Sequence, residues 1–187
     1  MNRVTLSIGL LFLLVIAINL PDWLADEDLI PQTETESAWQ PNYQASEMLS
    51  TLFDKDGGLS HQVFATKMEH FDLLGFTLFK EPQYTIFVES QTAPWQVSAK
   101  DGTLYEDNRI QLENNVEIRN QDEQGFARSI RTDFIEINLI DKTMESDQPV
   151  KIFGQHYVIN SNGFKANLTT QQYELLDHVQ TIYQPQP

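Results

Sequence analysis

Residues 84–102, YTIFVESQTAPWQVSAKDG, decide the fold class. Tyr84, Ile86 and Val88 alternate with Thr85, Phe87 and Glu89, and after Pro94 the residues Trp95, Val97 and Ala99 alternate with Gln96, Ser98 and Lys100. Side chains of an extended chain point to opposite faces in turn, so a period of two marks strands with unlike faces. Asp101-Gly102 ends the stretch with a turn pair.

The same alternation recurs at Ile110/Leu112, Val116/Ile118, Ile135/Ile137/Leu139, Val150/Ile152, Tyr157/Ile159, Phe164/Ala166/Leu168 and Val179/Thr181/Tyr183. Turn signals stand between these pieces: Asp56-Gly57-Gly58, Asp107-Asn108, Asn114-Asn115, Asn120-Gln121, Asp147-Gln148-Pro149 and Asn162-Gly163. Short strands at close spacing, with no helical period after the N-terminal run, predict an all-β domain. A faint repeat joins the segment from Gly102 to Ile118 with that from Gly163 to Thr181, each reading as strand, turn, strand. Stacked hairpins of this kind make an antiparallel two-sheet roll with two open ends, which must be paired, covered or charged.

Ahead of this pattern, Val4 to Leu20 carries no charge, and at 1.5 Å per residue it reaches roughly 25 Å, the lower limit for a bilayer core. Arg3 precedes it, while Asp22, Asp26, Glu27 and Asp28 follow it with no Lys or Arg before Lys55. That asymmetry predicts a single-pass membrane anchor with a cytoplasmic N-terminus and everything after Pro21 outside, a cleaved signal peptide being the alternative reading of the same run. Thr5 and Gly9 form a small-residue patch on which a partner transmembrane helix could pack. The expected organisation is an anchor over 1–21, an acidic tether over 22–45 containing Pro31 and Pro41, and a β-domain over 46–187.

The 187 residues hold 12 Lys+Arg against 27 Asp+Glu, a formal charge of −15, so nucleic acid is excluded as a partner because its phosphates are bound chiefly through basic side chains. With no cysteine there is neither disulfide, thiolate nucleophile nor Cys-based zinc site. His61, His70, His156 and His178 are isolated from one another, no metal-ligating or nucleophile motif appears, and the chain is expected to be no enzyme and to need no cofactor or metal. Asp54-Lys55-Asp56-Gly57 begins like a calcium loop but has no Glu at its twelfth position, so it reads as a hairpin turn.

The anchor, Asp56-Gly57-Gly58-Leu59-Ser60, the Pro94-Trp95 strand, the segments from Gly102 to Ile118, Thr132 to Leu139 and Ser146 to Gly154, and the closing stretch from Tyr173 to Tyr183 together resemble the LptC family of lipopolysaccharide export components. The resemblance implies a periplasmic β-jellyroll that holds lipopolysaccharide acyl chains, takes the lipid from the LptB, LptF and LptG transporter, and passes it to LptA. Similar rolls belong to LptA, LptF and LptG, and the anchor is what points to LptC among them. Aligned to the family pattern, Met48, Phe79, Tyr173 and Tyr183 would line the lipid path, with Phe64, Ile86, Trp95, Ile137 and Ile152 as supporting core. Gly57 and Gly154 match family glycines, read as a positive φ or a close backbone approach. The segment from Met48 to Leu59 would face the transporter, and that from Tyr173 to Tyr183, with Val179 in the interface, would face LptA. The rival reading is an anchored docking or structural β-sandwich that binds proteins and never lipid.

Overall fold

The computed structural model describes residues 11, 13–16, 39–88, 93–120 and 127–183. Leu11 and residues 13–16 are helical, and among the described residues no helix is long and apolar enough to cross a membrane. Most of the expected span from Val4 to Leu20, including Thr5 and Gly9, lies outside the described residues, as does the tail after Tyr183.

The second unit of the chain, Gln40–Pro187, is a single antiparallel sheet. Its strands are β1 (Tyr43–Phe53), β2 (Leu59–Phe71), β3 (Phe76–Lys80), β4 (Gln83–Ile86), β5 (Trp95–Ser98), β6 (Asp101–Tyr105), β7 (Arg109–Asn120), β8 (Ser129–Asn138), β9 (Thr143–Phe153), β10 (Tyr157–Asn167) and β11 (Gln172–Tyr183). β3 and β4 pair in unbroken register with successive parts of β2, and β6 and β5 pair likewise with β3 and β4, while against β7 their register slips by one residue at Asn114 and Asn115. Each of these pairs is therefore one long rung interrupted at its middle, and the sheet is a plain up-and-down meander with β1 at one edge and β11 at the other.

The interruptions recur at mid-length across the sheet. Glu47 in β1, Glu81 between β3 and β4, Asn114 and Asn115 in β7, Gly163 in β10 and His178 in β11 all have positive φ. The register of β8 against β9 slips between Arg131 and Glu136, and that of β10 against β9 slips between Asn162 and Phe164. Bulges bend a strand and re-aim its side chains. Aligned over neighbouring strands, they crease the sheet into two leaves, so each strand serves both. Three expected turns, Asn114-Asn115, Asp147-Gln148-Pro149 and Asn162-Gly163, are corrected by this: they lie inside β7, β9 and β10. Asn and Gly accept positive φ cheaply, and that preference serves a fold line as well as a chain reversal. The crease also carries the buried hydroxyls, with Thr132 and Ser146 donating to Phe134 O at 3.2 and 2.7 Å, and Ser161 donating to Gly163 O at 2.9 Å.

Between the leaves lies one hydrophobic core, drawn from β2 through β10, in which Ile86, Ile110, Leu112, Ile118, Ile135, Ile137, Ile152 and Phe164 have no exposed surface. The terminal strands contribute only partly buried residues, Met48 from β1 and Tyr173 and Leu175 from β11. β1 begins at Tyr43, ahead of residue 46 where the β-domain was expected to start.

Candidate functional site

The inner face of the sheet is the candidate site, and the register assigns residues to it, since cross-strand partners point to the same side. On the leaf that holds β4 and β5, Met48 pairs with Ala65, Ser50 with Val63 and Leu52 with His61, so these β1 side chains share the face of the core. At the far edge Ile159 pairs with Thr181 and Tyr157 with Tyr183, which turns Val179, Thr181 and Tyr183 inward as well. Yet Val179 is 51% and Tyr183 76% exposed, and Leu52 is 40% exposed. The inner face is therefore sealed in the middle and uncovered at both edge strands.

Contacts between the leaves join strands far apart in the order. The Trp95 ring on β5 stands 6.4 Å from that of Tyr173 on β11. Lys142, in the turn after β8 and itself at positive φ, donates to Ser60 O at 3.1 Å and Ser60 Oγ at 2.9 Å on β2. These two hydrogen bonds tie the hairpin end of one leaf to that of the other. Burial lowers the Lys142 ammonium from its usual range, while Asp54 acts to raise it. Next to Ser60, His61 is 6% exposed, and burial first and the Lys142 charge second hold its imidazole down to about 4. Tyr84, behind it, is 1% exposed and its phenol is pushed up by burial.

Of the residues expected from the sequence, Phe79, Ile86, Trp95, Ile137 and Ile152 are core on the inner face, and Met48, Tyr173 and Tyr183 stand on that face toward the two edges. Phe64 does not join them. It alternates with buried Val63 and Ala65 and pairs with Leu49, itself 64% exposed, so it lies on the outer face. Four residues on, Met68 packs against the core, so the alternation of β2 changes phase at the crease between Ala65 and Met68. Gly57 has φ +83° in the β1–β2 turn. There the Asp54 carboxylate accepts from the N–H groups of Asp56 and Gly58 at 2.9 and 2.8 Å, so it caps its own turn. Gly154 has an ordinary φ but lies so close to the Tyr157 ring that a Cβ would collide with it. Sequence reasoning missed His61, Tyr84 and Lys142; a His at a core phase of β2 was the available signal, but only the fold brings Lys142 to it.

Two depressions of about 550 and 730 Å³ open on the surface, the larger beside Tyr173. Charged side chains, Glu117, Arg131 and Lys151 in one and Arg109, Glu145 and Lys165 in the other, line them, which suits neither for hydrocarbon.

The family model described as "Lipopolysaccharide-assembly, LptC-related" matches residues 9–184. The chain is 27% identical over 185 residues to the lipopolysaccharide export system protein LptC of Escherichia coli K12, covering 98% of this chain and 93% of that protein. It is 27% identical over 163 residues to the protein of the same name from Haemophilus influenzae, with 77% of each covered. Among solved structures, LptH of Pseudomonas aeruginosa, described as the LptA-homologous periplasmic component of the lipopolysaccharide transport device, superimposes with a TM-score of 0.52. That match covers 67% of this chain and 95% of LptH at 10% identity, a likeness of fold alone.

Proposed function

This chain belongs to the LptC family of lipopolysaccharide export components, and on that premise we propose that its roll carries the acyl chains of lipopolysaccharide between its two leaves, receiving them from the LptB, LptF and LptG transporter and handing them to LptA. The observation that carries this reading is the inner face left uncovered at both edge strands, with Met48 and Leu52 at β1 and Val179 and Tyr183 at β11. An apolar face that ends in exposed side chains beside an unpaired strand edge is suited to be continued by a neighbour. Unlike ends in contact extend a row of domains instead of closing a dimer. β-Augmentation at β1 and β11 would then join one trough to the next.

The driving force is hydrocarbon burial. At roughly 0.8 kcal/mol per methylene, one acyl chain of about 14 carbons offers on the order of 10 kcal/mol, without phosphate recognition by so acidic a surface. ATP hydrolysis in the transporter supplies the work, the chain itself hydrolyses nothing, and the apolar run from Val4 to Leu20 anchors it in the inner membrane.

A second reading draws on the filled core. The side chains that close the middle of the roll leave the leaves in contact, as in a β-sandwich that docks proteins only. A photo-crosslinking side chain at Met48 or Tyr183 separates the two. Adducts with lipopolysaccharide support carriage; adducts confined to protein partners overturn it in favour of docking. Recovery of the transporter with a chain lacking Val4 to Leu20 tests the anchor, and undiminished recovery would reduce the run to a tether.

A further inference from the structure

Tyr84 is the anomaly of the core. Register flanks it with Val63 and Val97, and its ring meets that of Phe79 edge-on at 6.3 Å and lies 6.3 Å from that of His61. Its hydroxyl is the one buried side-chain polar atom among the described residues with no hydrogen-bond partner. The fold satisfies its other buried hydroxyls, Thr132, Ser146 and Ser161, within the crease. His61 does not serve Tyr84: its Nδ1 stands 3.3 Å from Ser60 Oγ, and no hydrogen bond joins its ring to the Tyr84 hydroxyl. A buried hydroxyl left unpaired destabilises the fold, and phenylalanine would fill the same space without it.

We infer that the Tyr84 hydroxyl is a polar contact for the lipid inside the roll, donating a hydrogen bond to an oxygen carried on an acyl chain, a hydroxyl or an ester or amide carbonyl, once the leaves part. The inference rests on the lipid-carrying reading. The row Ser50, Val63, Tyr84 runs inward across β1, β2 and β4, so Tyr84 sits two strand spacings, about 10 Å, from the β1 edge. A fatty chain entering beside Met48 spans that distance. Along this row and at its neighbours Ala65 and Ile86 the other side chains offer hydrocarbon, save half-buried Ser50, and the imidazole of neighbouring His61 has Ser60 beside its Nδ1, so Tyr84 is the buried hydroxyl left open to an oxygen-bearing chain.

The experiment compares the whole chain, reconstituted in lipid nanodiscs, with its Tyr84→Phe variant. Each carries a photo-crosslinking side chain at Tyr183 and is titrated with lipopolysaccharide, and unliganded stability is measured by urea denaturation. The expected result is that Tyr84→Phe is as stable as the parent or more so, while its half-saturation for lipopolysaccharide rises roughly five- to tenfold, the value of one hydrogen bond. An unchanged half-saturation overturns the inference and leaves carriage intact. A variant less stable than the parent also overturns it, because the hydroxyl is then already paired in the empty roll. No lipopolysaccharide adduct in the parent at any concentration overturns the carriage reading itself, and this inference with it.

Discussion

His61 makes the roll acid-sensitive. Its imidazole is 6% exposed and titrates at about 4 in the fold against 6.5 in a free chain, burial being the larger cause and the Lys142 ammonium the smaller. The groups packed around it are Ser60 on its own strand, Tyr84 on β4 and Lys142 from the turn after β8, and of these only Lys142 carries charge near neutrality. Between the two values the unfolded chain binds a proton that the fold refuses, so stability is complete above about pH 6.5 and falls as pH falls toward 4. For one such group the loss is about 0.8 kcal/mol at pH 6 and about 2 kcal/mol at pH 5, approaching about 3 kcal/mol below pH 4. Asp101, Asp107 and Glu117, whose carboxyls are held down by Lys80, Arg109, Arg119 and Arg131, add acid sensitivity of their own. The comparison must therefore be with His61→Gln, in which those terms cancel. Urea denaturation of both proteins at pH 7.5, 6 and 5 should show the stability difference shrinking in favour of the variant by those amounts. A difference that stays constant over this range would refute the placement of a neutral, desolvated imidazole between the leaves.

Removing the charge that bridges the leaves, with Lys142→Met, should cost about 1–2 kcal/mol of stability through the two lost hydrogen bonds to Ser60. NMR titration of the same variant should find the His61 pKa raised only partway toward 6.5, since burial remains. Gly154→Ala drives a methyl into the Tyr157 ring and should destabilise by about 1–3 kcal/mol in thermal or urea unfolding, although the backbone there is unstrained. Ile137→Ala, in the sealed middle of the core, should lose about 2–5 kcal/mol, while Phe64→Ala on the outer face should lose well under half as much in the same assay. Equal losses would contradict the assignment of faces.

Much of the fold was legible in strings such as residues 84–88 and 95–99, because a strand with one dry face imposes its period directly on the sequence. β1 was not, since Glu47 breaks its alternation at the crease and its edge location leaves most of its side chains in solvent. The same crease explains Asn114-Asn115 and Asn162-Gly163, whose local chemistry is that of a turn, and Phe64, whose phase relative to Met68 changes where β2 bends. In the candidate site, Ile86, Trp95, Ile137 and Ile152 were readable as inward residues from alternation, whereas Phe79, Met48, Tyr173 and Tyr183 came from the family resemblance.

The order of the residues by itself determined that the domain is all-β, that its strands have one apolar face, and that its charge suits neither nucleic acid nor phosphate-led binding. Those are short-range properties, set by side-chain type at successive positions. Only the tertiary structure decided that the bulges line up into one fold line, that Ser60 and Lys142, 82 residues apart, close the leaves upon each other, and that the Tyr84 hydroxyl ends in the core without a partner. The physical reason is that bending one strand is a local event, but stacking the bends across a meander and laying one leaf on the other are set by cross-strand register and by contacts between distant rungs, which no local spacing encodes.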